Sequence, residues 1–234
     1  MNLASAKVLV TGGTSGIGLE IARQLRHRGA SVAICGRDRR KLESAAEEIG
    51  AVGLLADVAQ EEDAKRMVAQ AISQLGGLDT LVNNAGYGTF APLVEQSLEE
   101  MRRLFATNVF GAMVVGREAA KHFVSQQIGN IINISSTAGQ RGFANGTAYV
   151  ASKFALDGMT ECWRAELRKH NIRVSVVHPS EVQTEFFATA VGQRRPLSER
   201  KLQPVDIAHA VIALLEMNDR GFVPELAVWA TNPE

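Results

Sequence analysis

The chain has 234 residues, 46% of them hydrophobic and 21% charged, which is an ordinary globular composition with enough length to bury one sizeable core. Twenty-five basic residues balance 25 acidic ones at a pI of about 7.0, so bulk charge gives no reason to expect nucleic acid or an anionic membrane as a partner. No apolar run approaches the roughly 20 residues of a membrane span, and MNLASAK lacks the basic-then-apolar pattern of a secretory leader, so a soluble, cytoplasmic protein is expected.

In chain order, KVLV at 7–10 is a short apolar strand. A glycine-rich turn follows, then Ile17, Ile21, Ala22 and Leu25 at helical spacing. Residues 31–35 repeat the strand pattern, and Leu42, Ala45, Ala46 and Ile49 the helical one. A third strand is expected over 52–56, followed by the most regular helix: Ala64, Met67, Val68, Ala71, Ile72 and Leu75 fall on one face. A fourth strand covers 78–83, and a long helix 98–126 is weakened by Gly111 and Gly116. A fifth strand covers 130–135 and a second long helix 147–170. The sixth strand, 173–177, is expected to stop before Pro179, which cannot donate to a ladder. A helix beginning near Pro204 and a last strand within 222–228 complete the chain.

Strands that are almost continuously apolar, alternating with helices, indicate a doubly wound α/β domain whose seven-stranded parallel sheet is covered on both faces. Ligands of such sheets bind beyond the carboxyl ends of the strands. The aperiodic stretch 183–203 falls on that rim and reads as a lid. Cys35 and Cys162 lie in unrelated apolar segments and read as reduced core residues, with no metal site implied.

TGGTSGIG at 11–18 opens the first helix, where a tight turn and close backbone approach to a pyrophosphate both call for residues without Cβ. Its Gly12, Gly16, Gly18 spacing departs from strict GxGxxG, and no GK[ST] follows to make a P-loop. Asp57 and Val58 close the third strand. NNAG occupies 83–86, Asn108 lies in the next helix, IINISS leads to Ser136, and YVASK runs from Tyr149 to Lys153. In this order and at these intervals the motifs resemble the short-chain dehydrogenase/reductase family nearly end to end. The resemblance implies one NAD(P)-binding Rossmann domain over 1–234. Gly12, Thr14, Ser15, Ile17 and Gly18 would line the phosphates and adenosine ribose, Asp57 and Val58 would hold the adenine, and Asn83, Ala85 and Gly86 would border the riboses. For Asn83 a second reading stays open, that it satisfies backbone groups between strands.

The choice of nicotinamide cofactor is set after the second strand, where an acid accepts from a ribose 2′-hydroxyl and an arginine meets a 2′-phosphate. Here Gly36 leaves the acidic position empty and Arg37 stands beside it. Asp38 is better placed as a helix N-cap. Arg39, Arg40 and Lys41 then crowd a helix N-terminus, which disfavours cations by roughly 0.3–1 kcal/mol each unless an anion is present. NADP(H) is therefore favoured over NAD(H), the alternative being a solvated basic turn.

Tyr149 and Lys153 are four apart and share a helix face. A nearby ammonium favours the phenolate and lowers a tyrosine pKa from about 10. The resemblance makes Tyr149 the acid/base, with Ser136, not the adjacent Ser135, bonding the substrate oxygen. Lys153 would tune Tyr149 and bind the nicotinamide ribose, and Asn108 would hold a water serving Lys153. Val182 and Thr184 would meet the nicotinamide carboxamide, although Ser180 replaces the family's usual glycine and puts the local backbone in doubt. Glu181 reads as a solvated loop charge and His178 as a structural residue on the rim.

Residues 87–93, 138–145 and the lid, with Phe186, Phe187 and Val191, make an apolar mouth suited to an uncharged or partly apolar carbonyl or alcohol. Arg194, Arg195, Arg200 and Lys201 leave open an acidic carrier protein, as in 3-oxoacyl-acyl-carrier-protein reductases. A non-catalytic cofactor-binding regulator is disfavoured because both Tyr149 and Lys153 are present. The resemblance also implies a homodimer or homotetramer, formed through the two long helices and the last strand.

Overall fold

The computed structural model describes residues 1–186 and 198–232. One sheet of seven parallel strands runs through it in the order β3-β2-β1-β4-β5-β6-β7. The strands are β1 Lys7–Val10, β2 Ser31–Gly36, β3 Val52–Leu55, β4 Thr80–Asn83, β5 Gly129–Ile134, β6 Ile172–Pro179 and β7 Glu225–Val228. The helices between them are α1 Gly16–His27, α2 Arg39–Ile49, α3 Glu61–Leu75, α4 Leu98–Phe105, α5 Ala112–Gln126, α6 Thr147–Leu167 and α7 Pro204–Glu216.

Strand alternation divides the core into two layers. Val8 and Val10 face α1, α2 and α7 with Ile21, Leu42, Ile207 and Val211, while Leu9 faces Met67, Val68, Val115 and Phe123 of α3 and α5. Each such fully buried side chain contributes about 1.5–3 kcal/mol relative to exposure. The order reverses direction between β3-β2-β1 and β4-β5, and the crevice above that switch point is where the cleft opens.

Three sequence expectations are corrected. The long helix 98–126 keeps its expected bounds but not its regularity, because a π-helical turn at Ala106–Gly111 interrupts the α geometry between α4 and α5. Gly111 there allows a close approach: a Cβ on it would sit 2.7 Å from the carbonyl oxygen of Val58. Pro179 does not end the sixth strand early but pairs with Val228, and the Ser180 amide donates to the Val228 carbonyl at 2.9 Å. The amides of Val176 and Ser180 point to β7, so the missing donor of Pro179 faces the β5 side, where β5 has already ended at Ile134. Cys35 is buried as expected, but Cys162 is exposed on α6. Among the described residues no helix is long and apolar enough to cross a membrane.

Candidate active site

The carboxyl ends of the strands frame a cleft of about 820 Å³ that runs from Arg37 and Lys41 to Tyr149 and Phe186. Its first half is built around the turn after β1. Gly12 has φ +63°, a left-handed conformation that side chains resist, and Gly18 packs so closely that a Cβ would lie 2.4 Å from Asn84 Nδ2. Thr11 Oγ1 accepts from the amides of Asn84 and Ala85 at 2.9 and 3.0 Å, and Asn84 Nδ2 donates to the carbonyls of Thr11 and Gly12 at 3.0 and 3.1 Å. The turn is thereby tied to the end of β4, and its cleft side is presented as bare backbone.

Gly12, Thr14, Ser15, Ile17, Arg37, Asp57, Val58, Ala85 and Gly86 all line this half. Asp57 is braced locally, its carboxylate accepting from the Ala59 amide at 3.0 Å. Asp38 caps α2, accepting from the Lys41 amide at 3.1 Å, and the cleft wall here carries two cationic groups, Arg37 and Lys41, beside the carboxylate of Asp57.

Asn83 is placed elsewhere. Its Nδ2 donates to the Ala112 carbonyl at 3.2 Å and to Asn133 Oδ1 at 3.1 Å; Asn133 donates to Thr160, and Thr160 donates to the Leu156 carbonyl. This chain of buried amides and a hydroxyl joins α5 to α6 beneath the cleft, so the structural alternative for Asn83 is the one the geometry fits. Adjacent strand residues face opposite sides, and it is Asn84 that reaches the cleft. The NN pair in the sequence was the available signal.

The second half gathers Ser136, Tyr149 and Lys153. Ser136 caps a short turn at Thr137–Gly139, its Oγ accepting from the Ala138 amide at 3.1 Å, and it also hydrogen-bonds Tyr149. Ser135 Oγ lies instead on the side of Gly139. Tyr149 is 8% exposed. Burial pushes its phenol up to about 12, the Ser136 hydrogen bond opposing the rise. Lys153 Nζ lies 5.8 Å from the Tyr149 ring centroid and donates to the Ile134 carbonyl at 2.9 Å; burial brings the amine down to about 8 while the charge of Asp157 opposes that fall. The lowering of the tyrosine expected from Lys153 is not seen: loss of water around each group sets the direction of its shift.

Asn108 sits in the π turn. Its Oδ1 accepts from the Tyr87 amide at 3.1 Å, and its Nδ2 donates to the Tyr87 carbonyl at 2.9 Å and Ser152 Oγ at 3.1 Å. The side chain therefore holds the loop after Gly86 against α6. On the far rim, Val182 pairs with Leu202, and Thr184 Oγ1 accepts from the Phe186 amide at 3.2 Å. Ser180 needs no left-handed backbone, so the missing glycine costs nothing there. Glu181 is not simply solvated: it pairs with Lys201 at 2.8 Å, closing the base of the 183–203 segment. Residues 187–197 of that segment, with Phe187, Val191, Arg194 and Arg195, lie outside the described residues.

Sequence reasoning missed how the rings gather. Phe90 lies edge-on to Tyr149 at 5.7 Å, Phe186 is tilted against Tyr149 at 5.4 Å, and Phe143 meets Phe90 at 5.9 Å. These rings come from three loops, and no local periodicity marks them.

The glycine turn, the serine and the Tyr-Lys pair on one cleft define a dinucleotide-dependent oxidoreductase architecture. The family profile of the short chain dehydrogenases matches residues 6–195, and the chain belongs to that family. It is 35% identical over 221 residues to the uncharacterized oxidoreductase YxnA of Bacillus subtilis (strain 168), covering 89% of this chain and 62% of that protein's length. It is 34% identical over 221 residues to the L-fucose dehydrogenase of Mus musculus, covering 88% of this chain and 81% of the relative. The alcohol dehydrogenase from the archaeon Thermococcus sibiricus, solved with 5-hydroxy-NADP, superposes with a TM-score of 0.89 at 26% identity over 98% of this chain and 99% of the other.

Proposed function

We propose that this chain is one NADP(H)-binding domain, acting in the cytoplasm, that reduces the carbonyl of a small, largely apolar substrate to an alcohol. The observation that carries this reading is the hydrogen-bonded Ser136–Tyr149 pair with Lys153 buried behind it at the end of a dinucleotide-sized cleft. Burial keeps the phenol protonated at neutral pH with the Lys153 amine behind it, so the site holds the proton that a carbonyl oxygen takes up on reduction.

The residues present fit a dinucleotide. Bare backbone at Gly12 would accommodate the pyrophosphate, Asp57 and Val58 would flank the adenine, Lys153 would bind the nicotinamide ribose, and Val182 and Thr184 would meet the carboxamide. Arg37 and Lys41, with Gly36 in place of an acid, favour a 2′-phosphate; the archaeal relative solved with 5-hydroxy-NADP accords with this choice. The nicotinamide supplies hydride when bound. Ser136 orients the substrate oxygen, and Tyr149 gives up its hydroxyl proton to that oxygen as negative charge develops there. Lys153 stabilises the phenolate that remains.

The wall of Phe90, Phe143 and Phe186 favours a flat apolar skeleton beside the carbonyl. A polyhydroxylated substrate would leave hydroxyls unpaired against these rings at about 1–3 kcal/mol each. On this reading L-fucose is not the preferred substrate. The carrier-protein reading is weaker, since the Lys201 charge is already paired with Glu181. Exposed Phe110, Phe154 and Trp229 on the long-helix and last-strand faces suit assembly into a dimer or tetramer.

The test is a screen following NADPH and NADH in parallel with 4-nitrobenzaldehyde, 1-phenyl-1,2-propanedione and dihydroxyacetone, and L-fucose oxidation with NADP⁺. Aryl carbonyl reduction with NADPH is expected to lead, and Phe90→Ala should cut its kcat/KM roughly two- to tenfold without touching dihydroxyacetone. Faster turnover of L-fucose, or indifference to Phe90, would reject the substrate assignment.

A further inference from the structure

One ionisable pair, with His178 buried and Asp157 partly so, is not used by the proton-transfer step. Asp157 follows Lys153 by four residues on α6, so Tyr149, Lys153 and Asp157 form one stripe with about 5–6 Å between successive Cβ atoms. Asp157 Oδ2 is 2.9 Å from Nε2 of His178, a β6 residue only 2% exposed. The other ring nitrogen, Nδ1, is 3.3 Å from the amide nitrogen of Gln140. Gln140 and Asp157 thus hold the two ring nitrogens of His178. The second oxygen, Oδ1, is buried with no hydrogen-bond partner among the described residues, and the Asp157 charge raises the proton affinity of Lys153 one turn back on α6.

The same carboxylate touches the turn that carries the serine. Gly139, which ends that turn, approaches so closely that a Cβ would stand 2.3 Å from Asp157 Oδ2. Gln140 follows it and holds His178, and His178 directly precedes Pro179 and Ser180 on the cleft wall. We propose that Asp157, anchored by His178, is the positioning residue that keeps the Lys153 ammonium charged behind Tyr149 and locks the Ser136 turn and the end of β6 to the same helix. The assignment rests on the acid/base reading of Tyr149. Tyr149 and Asp157 are the ionisable groups facing Lys153 from α6, with His178 behind Asp157 on β6. The end of β5, the π turn and the loop at 84–86 offer the Ile134 carbonyl, the Asn108 amide and Gly86, all neutral. Burial alone pulls Lys153 toward its neutral form, and Asp157 is the charge that opposes it.

The test labels lysine with carbon-13 at Cε and follows the Lys153 resonance, assigned by its loss in Lys153→Arg, through a pH titration. Asp157→Asn keeps the shape and the acceptor for His178 but removes the charge; the Lys153 midpoint should fall by about one pH unit. His178→Gln keeps a neutral donor opposite the carboxylate and should leave the midpoint near wild type. In 4-nitrobenzaldehyde reduction, the alkaline limb of kcat should move down with the Asp157→Asn midpoint while KM stays unchanged. An unmoved Lys153 midpoint in Asp157→Asn would overturn the proposal, as would an equal shift in His178→Gln. Should Asp157→Asn fail to fold, Asp157→Ser carries the same readout. The titration needs no turnover, so its failure is distinct from failure of the catalytic reading, which Tyr149→Phe tests.

Discussion

Around the glycine turn the cleft wall is backbone, held by Thr11 and Asn84 from two neighbouring strands. Around Tyr149 it is side chains from the loops at 86–90 and 134–145, from α6 and from the rim after β6. The dinucleotide half needs bare geometry at fixed sequence spacing, so a substitution there acts sterically. The chemical half needs groups converging from distant segments with the right charge, so a substitution there acts on proton affinity or fit.

The largest expected effect breaks the first half. Gly18→Ala places a methyl 2.4 Å from Asn84 Nδ2 and 2.5 Å from the Gly12 carbonyl oxygen. The forced shift should cost about 1–3 kcal/mol or more in urea unfolding and abolish nucleotide binding measured by fluorescence titration. A nucleotide affinity within a factor of two of wild type would show that the turn is not held as described.

Next, Asn83→Ala separates interior from cleft. It strips the Ala112 carbonyl and Asn133 of a buried donor and should cost about 1–3 kcal/mol by the same unfolding assay, with NADPH affinity unchanged. Asn84→Ala should instead weaken NADPH, because it frees the Thr11 and Gly12 carbonyls at the turn. Equal effects of the two on binding would erase the distinction.

A smaller effect sharpens the cofactor choice. Removing the charge in Arg37→Ala should weaken NADPH by about ten- to a hundredfold and leave NADH unaltered, as calorimetry would show. An equal loss for both would place Arg37 away from the 2′-phosphate.

Much of the architecture was legible because its causes are local. Apolar runs and helical periodicity place all seven strands and the main helices, and Asp38 reads as a cap because a carboxylate before a helix has little else to do. The π turn at Ala106–Gly111 was not legible: its cause is the packing of Gly111 on the Val58 carbonyl, a contact far apart in sequence. Pro179 misled because the rule against proline in a ladder depends on which neighbour the amide faces, and that requires the register. In the site, motif positions were readable, but the division of labour between Asn83 and Asn84 depends on strand facing. The aromatic wall exists only once distant loops converge, and the Asp157–His178 pair only once α6 packs against β6.

The account stands on Tyr149 as the proton donor to a carbonyl at the nicotinamide end of the cleft. The most direct measurement is single-turnover reduction of 4-nitrobenzaldehyde with NADPH carrying deuterium at the transferred position, in wild type and Tyr149→Phe. Wild type should place the deuterium on the new alcohol carbon, and Tyr149→Phe should bind NADPH equally well yet transfer about 10²–10⁴-fold more slowly. Transfer at the wild-type rate by Tyr149→Phe would contradict it.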